Sequence, residues 1–244
     1  MTSPGGEPRI LALWSAPRSR STAFFRMMLE RADRTALHEP FSTRAEHGAV
    51  VIGDRRVTSE PEVIAGLRDL SRRTAVFFKD TTDERYPDVL ADARFLGDAV
   101  RHTFLVRHPA ETIASYYAIN PEVRRDQIGF ENLHELFLAV RDATGRTPLV
   151  IDAHDLISAP GRTVERYCAA LAIPFRPESL SWAAGERPEW RATRRWHTDV
   201  SRSTRLGERP RSHQVDLAQH PHLEAYLAHH LPFYEQLREQ RLAP

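Results

Sequence analysis

The sequence has a single cysteine, Cys168, so no intramolecular disulfide can form and no Cys-rich zinc site can be built. It has a single lysine, Lys79, among 34 lysine and arginine residues. No glycine falls between Gly6 and Gly48, which removes the Gly-x-x-x-x-Gly-Lys-Ser/Thr loop of nucleotide triphosphatases from that stretch. No apolar run approaches the length of a membrane span. The formal net charge is +1, so there is no global signal for a polyanion, and no nucleic-acid partner is expected. The twelve histidines show no metal-ligand spacing; His229 and His230 are adjacent and cannot share one helix face. There is no internal repeat and no linker that demands a second domain. Residues 1–8 lack the basic start and apolar run of a signal peptide. They read as a disordered tail, and the chain reads as cytoplasmic.

What remains is enough for one substantial core. Apolar residues make up 41% and charged residues 27% of the 244 positions, the balance of a folded globular chain. A single domain is expected over 9–244. Its organising stretch runs from Ile10 to Leu29. Ile10–Trp14 is short, apolar and closed by Pro17, as a buried parallel strand is. From Ser21 onward Ala23, Phe24, Met27 and Met28 recur at helical spacing. Between them, residues 15–22 carry Arg18 and Arg20 with the hydroxyls of Ser19, Ser21 and Thr22. A strand feeding such a loop into a helix N-terminus aims backbone N–H groups and the positive dipole end at one spot, which suits phosphate or sulfate.

The same alternation continues. Thr35–Phe41 is an extended run closed by proline geometry, 42–60 a surface loop with a weak strand at Val50–Ile52, and Pro61 opens a helix. Thr74–Phe78 is a buried strand delivering Lys79 and Asp80; Pro87–Leu96 is a short helix; Arg101–Val106 is a strand ending at Arg107. Helices follow from Pro109 to Tyr117 and Glu131 to Ala143, then a strand at Pro148–Ile151 and a helix at Thr163–Leu171. Strands alternating with helices make an α/β fold, a parallel sheet flanked by helices. Ligands of such sheets bind at the carboxyl ends of the strands, where the loop, His38–Glu39, Lys79–Asp80 and Arg107 all fall. Residues 175–211 break the pattern. They are rich in Arg, Trp and Pro with little periodicity, as an irregular cover over a site would be. A last helix spans Leu223–Leu237.

Pro17, Arg18, Ser19, Ser21 and Thr22 resemble the 5′-phosphosulfate loop of sulfotransferases that use 3′-phosphoadenosine 5′-phosphosulfate (PAPS), with Arg20 where that family commonly has glycine. Arg107, Pro109, Ser115 and Tyr117 are similar to its 3′-phosphate motif. Asp155, Leu156, Pro160, Thr163 and Ala172–Pro174 align with a structural segment, with Ala159 where an Asp is usual. The resemblance covers roughly residues 9–174 and implies a P-loop-NTPase-like sulfotransferase fold. The family's later Gly-x-x-Gly-x-x-Lys element is absent; Arg202, Ser203, Thr204 and Arg205 stand as candidates to hold the 3′-phosphate or the adenine. Trp14 and Trp182 are candidates to stack on the base, with core packing favoured for Trp14.

The resemblance implies transfer of a sulfuryl group from PAPS to a hydroxyl or amine of a small-molecule acceptor, leaving PAP, with no metal required. A cation must stabilise the leaving phosphate, for which Arg18 and Lys79 are the candidates. A base must take the acceptor proton. Glu39, in a Glu-Pro pair after the second strand, is preferred over His38; Asp80 is the reserve, more readily a partner of Lys79 or an arginine. The acceptor is not readable from the loops, and the oligomeric state is open, a homodimer included. Two other readings stand beside this one: an ATP-dependent small-molecule kinase, and a nucleotide-binding module without chemistry.

Overall fold

The computed structural model describes residues 7–97, 99–191, 193–207 and 215–243. The expected tail, apart from its last two residues, and Arg209 and Arg211 of the cover lie outside the described residues.

The first strand, β1 (Ile10–Ser15), is buried at every position, because it is the central strand of the sheet and has a helical layer on both faces. It leads into α1 (Ser21–Glu30), β2 (Thr35–His38), α2 (Pro40–His47) and a small antiparallel hairpin, β3 (Val50–Ile52) with β4 (Arg55–Val57). Then come α3 (Glu60–Ser71), β5 (Val76–Thr81), α4 (Pro87–Ala91), α5 (Ala93–Leu96), β6 (Arg101–Val106) and α6 (Pro109–Tyr117). The second half adds α7 (Phe130–Thr144), β7 (Leu149–Asp152), α8 (Ala153–Ser158), α9 (Pro160–Ala170), α10 (Thr198–Arg202) and α11 (Pro221–Glu239). The five-stranded sheet has the order β2-β5-β1-β6-β7, and all its pairings are parallel.

The period of two along β1 divides the core. Ile10, Ala12 and Trp14 point into a cluster with Phe41, Phe78, Phe95 and Phe104. Leu11 and Leu13 point into the opposite cluster with Phe24, Phe25, Tyr167 and Trp190. Trp14 is fully buried, and its Nε1 donates to His102 Nδ1 at 2.9 Å. It is therefore a core residue with its one polar atom satisfied, not a platform for a base.

Three stretches differ from the sequence reading. The first part of the expected 42–60 loop is α2, followed by the hairpin. Only Pro40 and Phe41 of α2 are buried, so it carries no helical periodicity; its N-terminus is held instead by Asp80, whose carboxylate accepts from Phe41 N at 2.7 Å and Ser42 N at 3.1 Å. That capping is what Asp80 does, rather than pairing with Lys79 or an arginine. The expected helix over 87–96 is broken at Asp92, whose side chain accepts from Phe95 N at 2.8 Å and starts α5. The short α8 opens on an Asp152 cap, accepting from His154 N at 2.8 Å. Among the described residues, no helix is long and apolar enough to cross a membrane.

Candidate active site

Ser15 ends β1, and the loop to α1 turns through two left-handed residues, Arg18 (φ 63°) and Arg20 (φ 69°). Side chains rarely adopt this conformation, at a cost of roughly 1–2 kcal/mol each. Arg20, at the position where the resembled loop commonly has glycine, takes the left-handed conformation that glycine adopts most readily. Gly129 packs on the loop from behind. A Cβ there would lie 2.7 Å from Thr82 O and 3.0 Å from Pro17 Cδ, at φ 83°, so only glycine lets the chain pass. The α1 N-terminus has no side-chain cap, which leaves first-turn N–H groups for a ligand. Ser19 is completely buried, and its Oγ has no hydrogen-bond partner. A buried orphaned hydroxyl beside an uncapped helix start fits an anion's oxygens.

Cations surround this spot. Arg18 Nε donates to Ser115 Oγ at 3.1 Å, and its Nη1 donates to the Trp196 carbonyl. Burial lowers Arg18 from the ordinary guanidinium value, with Asp199 acting against it. Arg107, just past β6, donates to the Arg18 carbonyl at 2.9 Å and to Glu111 at 2.8 Å. Lys79, on β5 and 1% exposed, donates to Ser21 Oγ at 3.4 Å and forms a buried ion pair with Glu39. Glu39 has a left-handed backbone (φ 50°), held by its N–H donating to the Lys79 carbonyl at 2.8 Å. Strain of this kind, roughly 1–3 kcal/mol, collects where a side chain must be aimed.

These groups share one cavity of about 1120 Å³. Its wall brings together Arg18, Ser19, Arg20, Ser21, Thr22, Glu39, Lys79, Arg107 and Ser115, and Ser203 joins them from the cover. His38 does not line it; its Nδ1 lies 3.5 Å from Glu39 Oε2, behind the carboxylate. Burial, reinforced by the Lys79 charge, holds His38 well below the usual imidazole range. Arg202 and Thr204 are exposed and outside the wall, whereas Arg205 lies in it. Trp182 is outside as well, its Nε1 donating to the Ser203 carbonyl at 3.0 Å. The indole in the wall is Trp196, with the Arg195 guanidinium 4.8 Å from its ring centre.

Two groups in this site were not found from the sequence. His197 sits between Thr22 Oγ1 and Thr193 Oγ1, 3.1 Å from each, with its ring 4.9 Å from that of His38. The only signal was the Trp196-His197 pair in an otherwise irregular segment. Ligand atoms of His38, Glu39 and His197 lie within 4.8 Å of one another, a grouping that spacing along the chain does not reveal. Here the carboxylate is paired with Lys79 and both His197 nitrogens face threonine hydroxyls. The second group is an acidic stretch of wall beyond β5, where Asp83 and Glu84 join Glu46 from α2. Burial and the Glu39 charge push Asp83 up to about 6.

A sulfotransferase-domain family profile matches residues 8–241. A curated relative, branched-chain-amino-acid aminotransferase-like protein 1 of Arabidopsis thaliana, is 27% identical over 210 residues, 81% of this chain. The chain spans little more than a third, 36%, of that relative's length. A solved sulfotransferase domain from the curacin biosynthetic pathway superposes with a TM-score of 0.42 at 14% identity, covering 91% of this chain and 97% of that one. Retinol dehydratase in complex with retinol and PAP gives a TM-score of 0.41 at 13% identity, covering 93% of this chain and 82% of that one.

Proposed function

The chain belongs to the sulfotransferase-domain family, and from that premise we propose that it transfers a sulfuryl group from PAPS to a hydroxyl or amine of a small molecule. The observation that carries this reading is the orphaned, fully buried Ser19 Oγ at the uncapped start of α1, ringed by Arg18, Lys79 and Arg107. When bound, PAPS supplies the sulfuryl group; the acceptor atom bonds to sulfur as the bond to the 5′-phosphate oxygen breaks, and its electron pair stays with PAP.

This chain's residues have separable tasks. The loop N–H groups, Ser19, Ser21 and Thr22 hold the 5′-phosphate. Arg18 and Lys79 meet the negative charge that grows on the leaving oxygen, the type of electrostatic help worth most in a dry site. Arg107 and Ser115 hold the 3′-phosphate through the guanidinium fork and a hydroxyl. Glu39 takes the acceptor's proton, and its left-handed backbone and the Lys79 pair fix where the carboxylate points. The cavity exceeds the roughly 300–1,000 Å³ that one small ligand fills, which leaves room for nucleotide and acceptor together.

The test is ligand-induced thermal stabilisation by PAP, AMP, ADP and ATP with Mg²⁺ at matched concentrations. PAP is expected to give the largest shift. A larger shift from ATP with Mg²⁺ would overturn the reading in favour of a kinase. Glu39→Gln is expected to keep PAP affinity and to lose about 10²-fold or more in PAP release with an acceptor present; unchanged turnover removes Glu39 as the base.

A further inference from the structure

Negative charge in the cavity wall is treated in two different ways. Glu39 is paired with Lys79, and Glu111 with Arg107. Asp83 and Glu84 make no ion pair among the described residues, and the neighbouring Arg85 turns outward to Glu135, donating at 2.7 and 2.6 Å. Asp83 Oδ1 is buried and has no hydrogen-bond partner. Asp83 is also close enough to Glu39 that the two carboxylates oppose each other's charge. Glu46 belongs to the same wall: burial raises the Tyr116 phenol, and Asp83 and Glu46 add to that against Arg18 and Arg195. Asp83 is half-buried and Thr81 hydrogen-bonds it, but its buried Oδ1 is left without a donor, which is costly, and its charge is felt by Glu39, the group that must receive the acceptor's proton.

Resting on the sulfuryl-transfer reading, we propose that the acceptor is a small molecule carrying an ammonium group, which docks on Asp83 with Glu84 and Glu46 beside it. A separate hydroxyl or amine of the same molecule then faces Glu39. The ammonium supplies a donor to the Asp83 oxygen that has none, and charge-assisted hydrogen bonds to Asp83 set its distance from the base. A carboxylate or phosphate at the same place would add like charge to like and be rejected.

The test uses three probes of similar length, aminopentanol, hexanol and hydroxyhexanoate, each offering one hydroxyl. Binding to the full chain is measured by ligand-observed NMR, with and without saturating PAP, and PAP affinity is measured separately by calorimetry. Aminopentanol is expected to bind about ten-fold tighter than hexanol, with hydroxyhexanoate weakest. Asp83→Asn is expected to erase that preference while PAP affinity is unchanged; Glu84→Gln, at an exposed position, is expected to reduce it if Asp83→Asn does not fold. Equal or weaker binding of aminopentanol, or a preference that survives Asp83→Asn, overturns the proposal. Absence of PAP binding overturns the donor assignment instead, and that result is read on its own arm.

Discussion

The loop wall and the cover close one cavity by different means. In the wall, position follows from topology: β1, β5 and β6 run parallel, so their ends bring Ser15, Thr81 and Val106 to one edge, with Arg107 next in chain and the loop beside it. The cover, by contrast, is a succession of single turns, at Pro177–Leu180, Pro188–Trp190 and Arg194–Trp196. Beyond those turns its described backbone pairs across the segment at Trp182 N to Thr204 O and Gly185 N to Ser201 O, both 2.8 Å, and at Leu206 N to Leu180 O, 2.9 Å. It is fastened by large side chains: Trp190 is 1% exposed and packs against Phe25, His38 and His197. An irregular backbone is therefore not a loose one; what a sheet achieves with hydrogen bonds, the cover achieves with indole and imidazole rings.

The sharpest way to break this comparison is Trp190→Ala. If the cover is anchored as a core element, unfolding free energy in a urea titration falls by about 3–5 kcal/mol. A loss below about 1 kcal/mol would make the cover a peripheral flap.

Acid sharpens the comparison at the junction of the two regions. His38 and His197 face each other across it, and burial depresses both; His102 and His230, elsewhere in the core, are each lowered to about 4. A histidine depressed on folding adds stability that is full above about pH 6.5 and is lost as the pH falls towards its folded value. Each contributes up to about 1.4 kcal/mol of loss per pH unit in that window. Asp80, raised by burial to about 7, and Asp83, raised to about 6, act with the opposite sign and gain stability as they protonate. With five depressed histidines, His134 being the fifth, set against three raised carboxyls, Asp155 being the third, the melting midpoint is expected to fall from pH 6.5 to pH 5. A flat or rising midpoint would mean that the buried imidazoles are already charged. Cavity opening read by proteolysis within the cover is expected to follow the same fall, since His197 holds the cover to Thr22.

The smallest effect is expected at Arg20→Gly, on the wall side. Relief of a left-handed side chain, roughly 1 kcal/mol, is set against the greater unfolded-state freedom of glycine, roughly 0.5–1 kcal/mol. Stability should stay within about 1 kcal/mol of the parent, while PAP affinity falls through loss of one cation. A large destabilisation would show that the Arg20 side chain, 4.0 Å from Glu111, holds the loop together rather than serving the ligand.

The same contrast explains what was legible in the sequence. Ile10–Trp14 was readable because a strand buried on both faces is a plain apolar run; Arg101–Val106 was readable from the apolar residues 104–106 that close it. The residues at their ends were readable because parallel topology alone gathers them. Helix α2 was not, since its cap comes from Asp80, some 39 positions away from Phe41. Nor was His197, whose partner Thr22 is 175 positions distant. Asp83 and Glu84 look like any solvated turn after a strand until the wall they join is seen. In the cover only Ser203 of the 202–204 group lines the cavity; Arg202, the last residue of α10, and Thr204 are exposed outside it, and the Thr204 carbonyl accepts from Trp182 N.

The solitary lysine also has an analytical consequence. Reagents that acylate primary amines can modify only Lys79 and the chain's own amino terminus. Lys79 is buried and engaged by Glu39. The rate at which such a reagent labels it therefore clocks the opening of this one cavity, with no background from other side chains. A mass-spectrometric time course with one peptide to follow would then register whatever closes that cavity, without a chromogenic substrate and before any acceptor is in hand.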